Sequence, residues 1–153
     1  MNYFIKVTSK SGIEIEINGK PGDGKMSSFV KRVSIKIDTV QDNPEEKSTN
    51  VFNKVELELT INNTTKEICK KFMDWALNTS EDVYREVYMN IYDNTGENNK
   101  AEVIRSFNLK DMFVEDCFED YSKVDKNDTG LLTVKLIQQA EKHKEFIHDV
   151  NEL

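Results

Sequence analysis

Apolar side chains fall on every second residue in Val33, Ile35 and Ile37, in Val55, Leu57, Leu59 and Ile61, and in Val83, Val87, Met89 and Ile91. A strand points successive side chains to opposite faces, so this period describes sheets with one buried and one wetted face. A single helical stretch interrupts the pattern. Strong β periodicity without a recognisable catalytic constellation favours a building block or a binding module over an enzyme.

Length and charge narrow the choice further. At 153 residues the chain fits one domain with a real core. With 37% hydrophobic and 32% charged residues, the outer surface must be heavily charged. A formal net charge of −7 argues against binding nucleic acid by neutralising phosphates, which needs a basic stripe. No run approaches the roughly 18 apolar residues of a membrane span, so no membrane insertion is expected. Met1–Lys6 lacks the basic start and apolar stretch of a secretory signal, and assembly in the cytoplasm is the expectation. Cys69 and Cys117 form no metal spacing and read as reduced thiols. The N-x-Ser/Thr sequons at Asn62, Asn63, Asn78 and Asn127 then carry no meaning, since glycosylation needs a secretory route.

Along the chain, Tyr3–Val7 and Ile13–Ile17 form a first strand pair, with Glu14 and Glu16 opposite the isoleucines. Residues 18–28 hold Gly19, Pro21, Gly22 and Gly24 and read as a flexible loop. Phe29–Asp38 resumes the alternation, and 42–50, with Pro44, is a second loop. Val51–Ile61 is a long strand with Glu56 and Glu58 outward. In Thr64–Ala76 the period changes: Ile68, Phe72, Trp75 and Ala76 make the stripe of a helix lying on a core. Thr64 and Glu67 have capping-box spacing. Val83–Tyr92 is a strand carrying Tyr84, Tyr88 and Tyr92 on its second face. Ala101–Phe118 holds a strand, a bend and a further strand, and Leu131–Gln138 is the last clear strand. The tail, 139–153, reads either as a short helix or as an arm docking elsewhere.

Chemical motifs are sparse. Asp125–Gly130 resembles the start of a calcium loop, but the twelfth position is Leu136 and the flanks are strands, so a hairpin turn is expected. His143 and His148 are five apart and do not share a helix face. Cys69 sits beside the apolar helix stripe and reads as a buried small hydrophobe. Glu115, Asp116 and Glu119 belong to an acidic cluster that suits a solvated loop or one side of an intersubunit salt-bridge set. The tyrosine row suits a surface half-covered by a helix or by a neighbouring subunit. No catalytic, cofactor-binding or metal residues are assigned.

Three stretches carry a family resemblance. They are Tyr3–Val7, the step from Val55–Ile61 into the helix, and Phe107 through Phe113–Glu119 followed by Gly130 and a strand ending at Gln138. Together they resemble the tube-forming proteins of contractile injection machines: the haemolysin-coregulated protein of type VI secretion, and phage or bacteriocin tail-tube proteins. The sequence departs from that pattern at Asn63-Thr64-Thr65, where secretion proteins commonly carry Ser-Ser-Pro, and at Cys117, where they carry tyrosine.

The resemblance implies two antiparallel sheets forming a sandwich or barrel with one flanking helix at about 64–77. It also implies self-assembly as a hexameric ring, rings stacked into a tube, and sheath and baseplate proteins as partners. Glu14, Glu16, Glu56 and Glu58 are then the candidates for the lumen wall, where negative charge would let nucleic acid slide without sticking. Tyr84, Tyr88, Tyr92, Glu115, Asp116 and Glu119 are the candidates for the subunit interface. The alternative is a monomeric adaptor or baseplate module, or another β-sandwich binding protein without catalysis.

Overall fold

The computed structural model describes residues 1–22, 26–39, 51–93, 101–121, 130–140 and 142–153. The strands are β1 (Asn2–Ser9), β2 (Glu14–Asn18), β3 (Val30–Thr39), β4 (Val51–Ile61), β5 (Arg85–Asp93), β6 (Glu102–Tyr121), β7 (Gly130–Gln138) and β8 (Phe146–Asp149). One α-helix, α1 (Lys66–Leu77), follows β4. Among the described residues no helix is long and apolar enough to cross a membrane. The loop expected at 42–50 and the turn expected at 125–129 lie outside the described residues.

All strand pairings are antiparallel, in the order β2-β1-β5-β6-β7-β4-β3, with β8 added beside β6. The fold is mainly β with a flanking helix, as the alternation requires. The two expected sheets are the two halves of one continuous, unclosed sheet. The long strand β6 belongs to both: its first part pairs with β5 and its second with β7. Between them Asp111 takes a φ of 55°, and a bulge follows between Val114 and Asp116. A left-handed residue and a bulge both bend a strand, which supplies the bend expected within 101–118.

Both halves bury their apolar faces in one core. Ile5, Ile15, Val87 and Leu109 from one half share it with Val55, Leu57, Val134 and Leu136 from the other. The helix adds Cys69, Phe72 and Trp75, with Ile68 at the margin. Its start differs from the expected capping box. Helical residues begin at Lys66, and Thr65 precedes them without a side-chain cap. Instead the Thr65 hydroxyl accepts from the Asn62 amide at 2.9 Å and donates to the Thr60 carbonyl at 2.6 Å. The Asn62 side chain accepts from the amides of Thr64 and Thr65. The helix is therefore fastened back to the end of β4, which uses the hydroxyl a cap would need.

The fifth strand begins at Arg85, later than expected, because Glu81–Val83 forms a 3-10 turn capped by Ser80. That turn is an anchor. The Trp75 indole donates to the Val83 carbonyl at 2.9 Å, and the Arg85 guanidinium lies 5.0 Å from the Trp75 ring centre. The tail resolves in favour of a docking arm: after a 3-10 turn at His143–Glu145, β8 pairs with β6.

Candidate functional site: the assembly surfaces

A sheet that does not close leaves strands with one unpaired edge, and such edges template pairing with another chain. Among the described residues the strand order ends in β2 and in β3. They are charged differently. In β2 the exposed residues are Glu14 and Glu16, while Ile15 and Ile17 are buried. In β3 the outward residues include Lys31, Arg32 and Lys36.

The four lumen candidates fall into two pairs. Glu14 and Glu16 sit on β2, and Lys6 reaches Glu14 at 3.4 Å. Glu56 and Glu58 sit on β4, with four strands between it and β2, where they bracket Arg32 at 3.8 and 3.7 Å. Each pair thus carries a cation from the neighbouring strand, so the outer faces are mixed in charge.

The acidic candidates of β6 separate at the bulge. Glu115 and Asp116 are exposed and line a cleft of about 660 Å³ together with Arg32, Lys36, Lys54 and Lys135. Glu119 points elsewhere: it accepts from the Tyr121 hydroxyl at 2.7 Å, which raises the pKa of that phenol. Its carboxylate also adds to burial in raising both thiols. Burial first, then the charges of Glu119 and Asp116, pushes Cys117 up to about 11. Both cysteines are free and, held as neutral thiols, are poor nucleophiles.

The tyrosine row is partly covered by the chain itself, Tyr84 and Tyr88 staying half-buried. Tyr92 is buried. Tyr84 packs edge-on against Phe113 at 5.9 Å, and Tyr88 does so against Phe4 at 6.2 Å. The Tyr88 hydroxyl then donates to the Leu153 carbonyl at 3.2 Å. The Leu153 amide donates to Ser106, whose hydroxyl donates to the buried Asn90. Where the sequence suggested a helix or a neighbour, the cover over Tyr88 is the C-terminal segment.

Sequence reasoning missed one anchor altogether. Asp82 accepts from the Ser11 hydroxyl at 3.0 Å and from the Ser11 amide at 3.3 Å, tying the β1–β2 hairpin to the turn before β5. Those hydrogen bonds, helped by the nearby Arg85 charge, hold its carboxyl below the usual aspartate range. Ser80 followed by two acids is a helix-start signal that marks this turn in the sequence. Its distant partner Ser11 has no local signal. Among the described residues no group of three or more His, Cys, Asp or Glu is placed to hold a metal ion.

No family profile matches the sequence, and neither does any curated protein sequence. Solved structures do match in fold. A mutant Hcp1 from the E. coli EAEC 042 pathovar superposes with a TM-score of 0.62 at 11% identity, covering 98% of this chain and 98% of that one. A chain of the PVC extracellular contractile injection system, solved as its extended sheath-tube complex, gives 0.53 at 12% identity, covering 97% and 88%. A chain of the anti-feeding prophage baseplate, solved with six-fold symmetry applied, gives 0.54 at 10% identity, covering 97% and 92%. The resemblance read from the sequence therefore holds at the level of fold, across nearly the whole chain.

Proposed function

We propose that this chain is a structural subunit of the inner tube of a contractile injection machine, self-assembling into stacked rings without chemistry of its own. The observation that carries the reading is two-way coverage. The fold spans 97–98% of this chain and 88–98% of the chains it matches. Sheath and baseplate proteins are the partners this reading implies, with six copies per ring.

The open sheet ends suit such a role. A closed ring needs a heterologous contact, one patch meeting a different patch on the next copy. An acidic β2 edge and a basic β3 edge are different and complementary. Residues on adjoining strands lie about 5 Å apart, close enough for Glu14 and Glu16 of one copy to meet Arg32 and Lys36 of the next. Glu56 and Glu58 keep their place as lumen candidates, and Glu115 and Asp116, exposed beside the β3–β4 cleft, as a second interface patch.

The test is a charge swap read by sedimentation and negative-stain microscopy. The parent chain should give annuli or tubes. Changing Glu14 and Glu16 to Lys leaves both edges basic and should abolish them. Adding Arg32→Glu and Lys36→Glu to that variant should restore assembly. Swapping Glu56 and Glu58 to Lys should leave rings intact. A parent chain that stays a lone particle at high concentration favours the adaptor reading and overturns this one.

A further inference from the structure

We propose that His148 and Arg105 form a proton-operated latch that docks residues 146–153 on the sheet at neutral pH and releases them in acid. Strand β8 is four residues long and pairs with β6 alone. So short a strand has few ladder bonds, and its docking depends on side-chain contacts.

Phe146 packs 6.0 Å from Phe107, and beside that pair Arg105 meets His148. Arg105 Nη2 lies 3.0 Å from His148 Nδ1. A guanidinium only donates, so Nδ1 must accept, and the imidazole must be neutral with its proton on Nε2. Protonation places a second N–H on Nδ1, pointing at the arginine. The hydrogen bond is lost and two like charges meet at contact distance.

The arginine is poorly placed to retreat. Its Nε donates to the Asp149 carbonyl at 3.4 Å, and its guanidinium lies 4.7 Å from the Phe107 ring centre. The side chains that line the cleft beside the histidine are otherwise apolar. Phe146 from its own strand lies 5.6 Å away. The cleft beside it is completed by Phe107 of β6 and by Ile35 and Ile37 of β3, all apolar. Lys36, between those isoleucines, pairs with Asp38. The Asp149 carboxylate, next in sequence, keeps its negative charge but turns its Oδ1 to the amides of Val150 and Asn151 at 2.6 and 3.2 Å. That turn carries the chain from β8 back over the sheet, where Leu153 meets Ser106 and Tyr88. Release therefore uncovers Tyr88, Ser106 and Asn90 together.

The test is amide hydrogen exchange of the full chain, expressed as protection factors so that intrinsic pH dependence cancels. Between about pH 7.5 and about pH 5.5, protection of residues 146–149 should fall about tenfold, the scale of one charge-assisted hydrogen bond. His148→Gln, whose amide oxygen accepts from Arg105 at either pH, should show a flat profile. Arg105→Gln, which removes the like charge, should be flat as well, even if its tail is looser throughout. No fall in the parent chain overturns the latch. So does an equal fall in His148→Gln, or a parallel fall at Val7 and Val87, which would mean general acid loosening.

Discussion

The two ends of the sheet are held in opposite ways. Strand β2 is short, yet Ile15 and Ile17 are 1% and 2% exposed, and its hairpin is tied to the distant turn by Asp82. Strand β3 is twice as long, yet Val30 is its one buried residue, and Ile37 is 57% exposed. A bulge between Val30 and Arg32 breaks its register with β4. One end is fixed mainly by the core, the other by backbone pairing, by the partly buried Val33 and Ile35, and by surface charges such as Arg32 on Glu56 and Glu58. Under the proposed function this asymmetry has a use: the well-buried acidic edge presents a fixed template, and the less buried basic edge can adjust to it.

The largest expected effect separates the ends directly. Ile15→Ala removes a fully buried side chain and should cost about 2–5 kcal/mol in urea unfolding. Ile37→Ala should stay within about 0.5 kcal/mol of the parent chain. Comparable losses at the two sites would erase the distinction. The next effect is at Gly19, just past β2, where an added Cβ would stand 2.5 Å from the Tyr3 carbonyl oxygen. Backbone must shift to admit it, and Gly19→Ala should lose about 1–3 kcal/mol by the same measurement.

A smaller effect depends on pH. Because the folded chain lowers the pKa of Asp82, its contribution is fully present above the ordinary aspartate value of about 3.9 and is lost as pH falls through the lower folded value. Asp82→Asn does not titrate. It should start from a lower melting temperature near neutrality and lose less than the parent chain on acidification below about pH 4. Identical acid limbs would remove Asp82 as the fastener of the β2 end. The smallest effect is at the β3 end. Arg32 is more than half exposed, so Arg32→Ala should change unfolding free energy by at most about 1 kcal/mol while weakening ring formation. A large stability loss would make Arg32 a folding residue.

How much of this was legible in the sequence follows from what each signal reports. Alternation in Val55–Ile61 and Val87–Ile91 gave strands β4 and β5 and their buried faces, because a period of two is a local property of extended backbone. The stripe of Phe72 and Trp75 located the helix for the same reason. The helix start misled because Thr64 and Glu67 match a capping pattern while Thr65 is spent on the Thr60 carbonyl, a contact set by where β4 ends. The tyrosine row was read as a surface for a helix or a neighbouring subunit. Within the chain Tyr88 bonds Leu153, 65 residues away, a contact that no local pattern reports.

The sequence by itself determined which segments are extended, which one is helical, and which side of each is apolar. Only the tertiary structure decided that one strand, β6, serves both halves of the sheet, that β2 and β3 are the open ends, and that β8 docks beside Arg105. The physical reason is that side-chain period depends on a residue's own backbone, whereas strand neighbours depend on pairings between distant segments, which the whole core selects together.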